Sequence, residues 1–275
     1  MGINLTRECL HYLFKENDGK HIFRLSALLW LRHNMLRKFD IPYLEIFATT
    51  RCNLRCKYCS NLIPRLSGGQ DVEFKEFKRV IEAILSKVDW LCRLKIHGGE
   101  VLLHPEICKF IKFANAQSKI KSIRIATNGA VDPTEDVLRC LADSKAVVQI
   151  SDYKVTAEKA SNLIQKFKTY GVKYVYLANV KWKDMGDLSE GDNRYEECSI
   201  KRCTSIYNGK IYVCSRAAVM ENNGMINSDE GISVDMPEAK LKKEWKALYK
   251  GKYNIACSYC YGDTVWAKSI IPGEQ

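Results

Sequence analysis

The 275-residue sequence contains no secretory signal and no apolar run long enough to cross a bilayer. Residues 1–10 are of mixed polarity, and the longest apolar run near the start is only Ala27–Leu31. We therefore expect a cytoplasmic protein. Disulfides are rare in a reducing compartment, so its cysteines are expected to be metal ligands or buried thiols.

Internal repeats, low-complexity segments and basic tracts are also absent, although the net charge is +11. Lysine and arginine are scattered along the chain. A basic face could meet nucleic acid, acidic lipid or a phosphorylated substrate, and an ordinary solvated surface is the competing interpretation. The length suits one domain with an appendage or two modest domains.

Short β-rich runs alternate with segments of helical periodicity between residues 43 and 178. The strands are predicted over 43–49, 91–96, 121–126, 146–151 and 173–178, and the helices over 71–88, 105–116, 133–141 and 156–170. Such alternation implies parallel strands joined by right-handed crossovers, hence an α/β barrel or open sheet. Functional residues in these folds gather at the C-terminal ends of the strands.

The pattern changes after about residue 180. Asn208-Gly209 between short β-rich flanks predicts a hairpin, and a Lys-rich helix is predicted over 238–249. These features suggest a smaller second domain over 181–275, after an N-terminal helical segment over 1–42 and a main domain over 43–180.

An amphipathic basic helix is predicted over residues 21–39, with Leu28, Leu31, Met35 and Phe39 on its apolar stripe. Peripheral contact with a membrane surface is one interpretation of this stripe. Packing of the stripe against the main domain is the interpretation that we favour.

Three of the twelve cysteines, Cys52, Cys56 and Cys59, lie within eight residues directly after the first predicted strand. A structural zinc site would need a fourth protein ligand, which only a distant residue could supply. A [4Fe–4S] cluster held by three thiolates would instead leave one iron open to an external ligand.

The segment RCNLRCKYCS, with Tyr58 before its third cysteine, resembles the signature loop of the radical S-adenosylmethionine (radical SAM) superfamily. The segment KIHGGEVLLHPE follows the second predicted strand and resembles the GGE motif of that family, here Gly98, Gly99 and Glu100. Val101 stands where members often have proline. The resemblance implies a partial (β/α)6 barrel that binds a [4Fe–4S] cluster and S-adenosylmethionine, with Glu100 accepting hydrogen bonds from the ammonium group of the cofactor.

Three further positions are weaker candidates for cofactor contacts. Asn128 ends the third predicted strand, and Ser151 and Asp152 end the fourth, where related enzymes place such contacts. A turn is the competing interpretation for Asn128, and a helix N-cap for Ser151 and Asp152.

The tail contains five more cysteines, namely Cys198, Cys203, Cys214, Cys257 and Cys260. Their layout resembles the SPASM/twitch extension of radical SAM enzymes, which holds auxiliary [4Fe–4S] clusters, and one such cluster is the better fit. Cys214, Cys257 and Cys260 are the favoured ligands, and Cys198 and Cys203 compete for the fourth place. The unused thiol would be a buried residue, or a hydrogen-atom donor as in some radical epimerases. A tetrahedral zinc site is the alternative.

The resemblance also implies a reaction. An external donor such as flavodoxin or ferredoxin would supply an electron, S-adenosylmethionine would be cleaved reductively, and the 5′-deoxyadenosyl radical would remove hydrogen from a substrate. Arg216, two residues after Cys214, is a candidate for contacting an anionic or hydroxylated substrate, and a surface salt bridge is its competing interpretation.

The compact layout resembles small radical SAM dehydrogenases and epimerases, so we expect oxidation or epimerisation of a sugar or aminocyclitol-type substrate. A peptide-modifying enzyme or maturase is the rival, although residues 1–42 show no clear winged-helix pattern. A zinc-dependent nucleic-acid-binding module is the alternative of another class. No DNA partner is expected for the enzyme.

Overall fold

A computed structural model describes residues 4–14, 22–151, 153–178, 182–251, 253–265 and 267–275. Asp152, one of the predicted cofactor contacts, lies outside these residues. No helix in the described ranges is both long enough and apolar enough to cross a membrane.

Five parallel strands form the main part of the sheet. They are β1 (Asp40–Thr49), β2 (Trp90–Gly98), β3 (Ile120–Thr127), β4 (Ala146–Ser151) and β5 (Tyr174–Leu177), and each pairs with the next. The predicted α/β class with parallel strands is confirmed, and the arrangement is consistent with a partial barrel.

Helices on the outside of the sheet connect these strands. They are α3 (Phe74–Leu85), α4 (Ile107–Ala116), α5 (Glu135–Ala142) and α6 (Ala157–Tyr170). In α3 the residues Phe77, Ile81 and Ile84 recur at helical spacing and are fully buried. Each such side chain contributes about 2 kcal/mol by leaving water, so this face fixes the helix on the sheet. The predicted positions of all four helices are confirmed.

The tail continues the same sheet. β7 (Ser205–Tyr207) pairs in parallel with β1, β8 (Lys210–Tyr212) returns beside it, and β9 (Ile232–Ser233) adds an edge. The backbone at Asn208 and Gly209 has φ of 47° and 71°, the left-handed conformation that a two-residue hairpin turn requires. The predicted hairpin is confirmed, and it is anchored to the barrel rather than detached from it.

Two helices complete the tail, α7 (Ser215–Asn222) directly after the hairpin and α8 (Glu238–Lys250). β6 (Trp182–Lys183) pairs with β10 (Ser269–Ile270) in a separate two-stranded sheet. The resemblance implied a barrel of six strands; among the described residues, the main sheet holds β1 to β5 and, parallel to β1 on its other side, β7.

The N-terminal segment contains α1 (Leu5–Phe14), α2 (Ile22–Trp30) and a π-helical turn (Leu31–Met35). Its predicted apolar stripe does not pack as expected. Phe39 is buried, but Leu28, Leu31 and Met35 are 43%, 43% and 64% exposed.

A buried ion pair explains this orientation. Arg32 donates hydrogen bonds to Asp40 at 2.8 and 2.6 Å, and its guanidinium lies 3.5 Å from the ring centroid of Trp90. Leu29, three residues earlier, is fully buried in a small core with Cys9 and Cys92. The face that carries Leu29 and Arg32 thus points inward, and the face that carries Met35 points outward.

Candidate cofactor and metal site

The cysteine loop, residues 52–59, begins where β1 ends. Thr49 at the end of β1 donates a hydrogen bond to Asp71 at 2.6 Å, and the Thr49 hydroxyl accepts one from the Arg51 amide at 2.9 Å. These bonds turn the chain sharply out of the sheet. The loop therefore lies at the C-terminal edge of the parallel strands, as the sequence predicted.

The three thiols of the cysteine loop line one cavity of about 400 Å³. Burial, together with the neighbouring Cys59 and Cys56 thiols, raises the pKa of Cys52 to about 11. Burial and Cys59 also raise the pKa of Cys56. Three thiols that resist ionisation next to one another need a cationic centre to hold them as thiolates.

The last residues of the chain cover this loop; we call Ile271–Gln275 the C-terminal cover. The Lys57 amide donates to the Glu274 carbonyl at 2.7 Å, and the Arg55 amide donates to the Gln275 side chain at 2.8 Å. The Gln275 amide nitrogen also lies 3.6 Å from the Cys56 sulfur, within reach of an N–H···S hydrogen bond. Such bonds to ligand sulfurs are one way in which a protein tunes an iron–sulfur cluster.

Gly98 and Gly99 allow the end of β2 to touch the cysteine loop. A Cβ atom at Gly98 would lie 1.9 Å from the Thr49 carbonyl oxygen, and one at Gly99 would lie 2.1 Å from the Arg51 carbonyl oxygen. Any larger residue would push the two strand ends apart. Both glycines line the cavity beside the thiols.

Glu100 is fully buried and ties β2 to β3. Its carboxylate accepts hydrogen bonds from Thr127 at 2.8 Å, from the Asn128 amide at 2.7 Å and from the Leu102 amide at 3.1 Å. Burial nevertheless raises the pKa of Glu100 to about 7. The predicted contact between Glu100 and a cofactor ammonium stays a prediction, since the carboxylate already has three donors within the protein.

Asn128 and Ser151 line the same cavity as the thiols. The Asn128 side chain donates to Asn53 in the cysteine loop at 2.9 Å, and its oxygen accepts from the Ala130 amide at 2.9 Å. The turn interpretation thus holds for Asn128, although the residue also touches the loop. Tyr58 lines a neighbouring cavity with Cys56, Cys59 and Arg216.

The sequence analysis missed Tyr153. Burial raises its pKa well above the usual range, and the thiols of the cysteine loop contribute to that rise. Its ring meets Trp182 edge-on at 4.7 Å, and a Cβ atom at Gly273 of the C-terminal cover would lie 2.9 Å from its Cβ. Tyr153 therefore closes one side of the cavity.

A set of polar side chains on the inside of the barrel was also missed; we call Glu45, Lys95, His97 and Gln149 the polar wall. Lys95 donates to Glu45 at 2.8 Å, and the His97 Nε2 atom lies 3.5 Å from the same carboxylate. Burial lowers the pKa of His97 to about 4, so its ring is neutral. Lys95, His97 and Gln149 line the 400 Å³ cavity.

The tail cysteines form a second group. Four of the five line one cavity between the hairpin, α7 and the C-terminal segment, namely Cys198, Cys214, Cys257 and Cys260. Burial and the other three thiols raise the pKa of Cys257. Gly262, with φ of 65°, lies so close to Cys198 that a Cβ atom would be 3.3 Å from its sulfur. We call these four residues the tail thiols.

Cys203 does not line that cavity. After burial, the Glu45 carboxylate contributes most to raising the pKa of Cys203, with smaller contributions from Cys214 and Cys198. The Glu45 amide donates to the carbonyl of Thr204, the residue after Cys203, at 2.8 Å, so Cys203 lies close to the strand that carries Glu45 of the polar wall.

Arg216 lies between the two thiol groups. It is only 4% exposed, and it donates to the Gly186 carbonyl at 2.8 Å and the Ser60 carbonyl at 3.4 Å. Burial raises the pKa of Cys59 in the cysteine loop and of Cys260 in the tail, and the positive charge of Arg216 offsets part of both rises. A surface salt bridge is therefore the wrong interpretation of Arg216. Its side chain is buried, and its guanidinium interacts electrostatically with the thiols of Cys59 and Cys260.

The donor sets fit iron–sulfur clusters. The Arg216 Nε atom is buried without a hydrogen-bond partner in the described structure, and thiolate-ligated clusters of net negative charge on both sides would balance the guanidinium. Two backbone amides donate hydrogen bonds to sulfurs of the tail thiols. The Ala217 amide donates to the Cys214 sulfur at 3.4 Å, and the Gly262 amide donates to the Cys260 sulfur at 3.3 Å. Within the described ranges, no three His, Cys, Asp or Glu side chains are grouped closely enough to hold a single metal ion.

Comparison with known proteins adds to this geometry. Residues 46–166 match the family described as Radical SAM superfamily. Among curated relatives, the GTP 3′,8-cyclases of Heliobacterium modesticaldum and Clostridium acetobutylicum are each 34% identical, over 96 and 98 residues. These matches cover 34% of this chain and 29% of each cyclase, so less than a third of the relatives' length is represented.

Solved structures extend the comparison of folds to the tail. BtrN in complex with AdoMet and 2-DOIA superposes with a TM-score of 0.55 at 16% identity, over 82% of this chain and 95% of BtrN. Native anSMEcpe with bound AdoMet superposes with a TM-score of 0.53 at 15% identity, over 79% of this chain and 82% of anSMEcpe. The shared fold thus includes more than the barrel.

Proposed function

We propose, from the premise that residues 46–166 form a radical SAM domain, that the protein is a radical SAM enzyme acting on a hydroxylated small molecule. One observation supports this proposal best. The thiols of the cysteine loop, the Gly98-Gly99 backbone and part of the polar wall all line one cavity, so a cofactor and a substrate would meet there.

The cofactors supply the radical chemistry: a [4Fe–4S] cluster and S-adenosylmethionine together provide a 5′-deoxyadenosyl radical after one-electron reduction. The chain supplies the positions. The thiols of the cysteine loop would hold the cluster, and Asn128 and Ser151 would contact the cofactor. Tyr153 and the C-terminal cover would exclude water from the reactive centre.

The polar wall favours a substrate with several hydroxyl or amino groups, such as a sugar or aminocyclitol. Lys95 is a donor, Gln149 is both donor and acceptor, and the neutral His97 ring can accept a hydrogen bond from a hydroxyl group. Oxidation or epimerisation of a C–H bond beside a hydroxyl group is the reaction that we favour.

The tail thiols are the proposed ligands of one auxiliary [4Fe–4S] cluster, with Cys198 rather than Cys203 as the fourth ligand. This choice is supported by the common cavity of the four tail thiols and by the position of Cys203 beside Glu45. Cys203 then becomes the proposed hydrogen-atom donor of an epimerisation. Arg216 is proposed to balance charge between the two sites instead of contacting substrate.

A second candidate is cyclisation of a purine nucleotide. It is favoured by the 34% identity to GTP 3′,8-cyclases. Lysine and arginine exceed aspartate and glutamate by 43 to 32, which is compatible with a phosphorylated substrate.

Anaerobic purification followed by cluster reconstitution tests the proposal. We expect about eight irons per chain, from two four-iron clusters, and deoxyadenosine formation after reduction with dithionite. Faster deoxyadenosine formation with a panel of sugars and aminocyclitols than with GTP would support the first candidate, and the reverse result would support the second. Bound zinc without deoxyadenosine formation would contradict both.

A further inference from the structure

Among the residues that the structure describes, nothing covers a large apolar surface of the N-terminal segment. The exposed side chains lie on α2, on the π-helical turn that follows it and on the residue after that turn, namely Phe23 (88% exposed), Leu28 (43%), Trp30 (55%), Leu31 (43%), Met35 (64%) and Leu36 (57%). We call these six residues the apolar face. The Arg32–Asp40 ion pair and the burial of Leu29 orient it away from the described part of the barrel.

A cationic groove of about 720 Å³ adjoins the apolar face. Its positive charges come from the turn after α2 and from α8, namely Arg37, Lys38, Lys242, Lys246 and Lys250. Lys38 pairs with Asp89 at 2.9 Å, but the residues described as lining the groove include no carboxylate. Trp30 belongs both to the groove and to the apolar face, so the two are continuous.

The lysines of α8 repel one another. Lys242, Lys246 and Lys250 recur every four residues, which places like charges on one side of the helix. After burial, the charges of Lys242 and Lys250 lower the pKa of Lys246. An anionic partner would relieve this repulsion.

We propose that the apolar face and the cationic groove together form a docking site for an anionic phospholipid bilayer. Exposed Trp, Phe, Leu and Met side chains bordered by Lys and Arg are the chemistry of helices that lie in a membrane interface. The apolar face enters the interfacial layer while the groove lysines meet lipid phosphates. This docking is independent of the reaction proposed above, because none of these residues lines the 400 Å³ cavity.

Flotation of the reconstituted protein with vesicles tests the site. Vesicles of phosphatidylcholine with added phosphatidylglycerol should carry the protein to the top of a gradient, whereas phosphatidylcholine alone should not. The double variant Lys246→Glu/Lys250→Glu should weaken binding at least about tenfold, since each cation near an anionic surface contributes about fivefold. Trp30→Ser/Met35→Ser should weaken it by a similar factor through loss of apolar burial.

Matched controls lie elsewhere on the surface. Lys75→Glu/Lys159→Glu changes the net charge equally at exposed lysines of α3 and α6, and Val265→Ser removes an apolar side chain that is 86% exposed. Both should bind vesicles as the wild type does. Circular dichroism and iron content report whether each variant is folded; if Trp30→Ser/Met35→Ser is not, Phe23→Ser alters the most exposed residue of the apolar face.

Several results would overturn the proposal. These are equal binding to neutral and anionic vesicles, no binding to either, and unchanged binding by the folded groove variants. A dimer that Trp30→Ser dissociates in light scattering would assign the face to a second copy of the chain. Binding of inorganic phosphate in the groove without binding of vesicles would assign it to a soluble anion.

Discussion

The two thiol groups of this protein are built in different ways. The cysteine loop places three thiols within eight consecutive residues at the end of one strand. The tail thiols come from the segment before the hairpin, the start of α7 and the turn around Cys257 and Cys260. The first group is set by local chain geometry, whereas the second exists only after the hairpin has joined β1 and the C-terminal segment has folded back.

This difference predicts how each group responds to damage. A local loop should keep its thiols close together even when the tail thiols are disturbed, because Cys52, Cys56 and Cys59 lie within eight consecutive residues. The tail thiols depend on several packed segments, so a single change there should release the whole group. The following experiments test that contrast, beginning with the largest effect.

Cys56→Ala should abolish deoxyadenosine formation, because two thiolates cannot hold a cluster with one open iron. The iron content should fall from about eight to about four per chain, since the tail thiols do not need the loop. Iron analysis and product chromatography under anaerobic conditions check both results. Loss of all iron would show that the two groups assemble as one.

Cys198→Ser and Cys203→Ser form a matched pair in the tail. We expect Cys198→Ser to lose about four irons while deoxyadenosine formation persists, because the cysteine loop is unchanged. Cys203→Ser should retain its iron and alter only the product. Iron retention by Cys198→Ser together with iron loss by Cys203→Ser would reverse the ligand assignment.

Glu100→Gln should change the pH dependence of stability. Burial raises the pKa of Glu100 from 4.5 in the unfolded chain to about 7 in the fold. The contribution of Glu100 to the free energy of unfolding is therefore complete below pH 4.5 and is lost as the pH rises through 7. The free energy of unfolding falls by about 3 kcal/mol at most over this range. Urea unfolding of the iron-free protein at a series of pH values should show this decline in the wild type and a flatter profile in Glu100→Gln. Parallel profiles would contradict the raised pKa.

Arg216→Met should lower the reduction potentials of both clusters by about 50 mV, because it removes a buried cation that stabilises the extra electron. Arg216→Lys keeps the positive charge, so the reduction potentials of both clusters should stay close to those of the wild type. Arg65→Met is the matched control, since Arg65 is exposed and its charge is screened by water. Spectroscopic redox titration measures the three variants, and a shift in only one cluster would place Arg216 beside that cluster alone.

The sequence predicted the elements of the barrel well because their periodicity is local. It also located the cysteine loop, the glycine pair and the hairpin, each of which is a short motif with its own geometry. It could not distinguish Cys198 from Cys203, because spacing along the chain does not show that only Cys198 lines the cavity of the other tail thiols. For the same reason the burial of Arg216 was not foreseen.

The polar wall did leave a signal that was not used. Arg93, Lys95 and His97 alternate with Leu94 and Ile96 along β2, although a central parallel strand is usually apolar on both faces. Polar residues at every second position of such a strand indicate a polar barrel interior. The outward apolar face of α2, in contrast, depends on the Arg32–Asp40 ion pair, which periodicity alone does not reveal.

The C-terminal cover has a consequence for synthesis of the protein. Arg55 and Gln275 are bonded to each other although 220 residues separate them. The ribosome therefore releases the cysteine loop long before it makes the residues that cover it. During that interval the three thiols would be accessible to whatever supplies iron and sulfide, and residues 271–275 would cover the loop only afterwards.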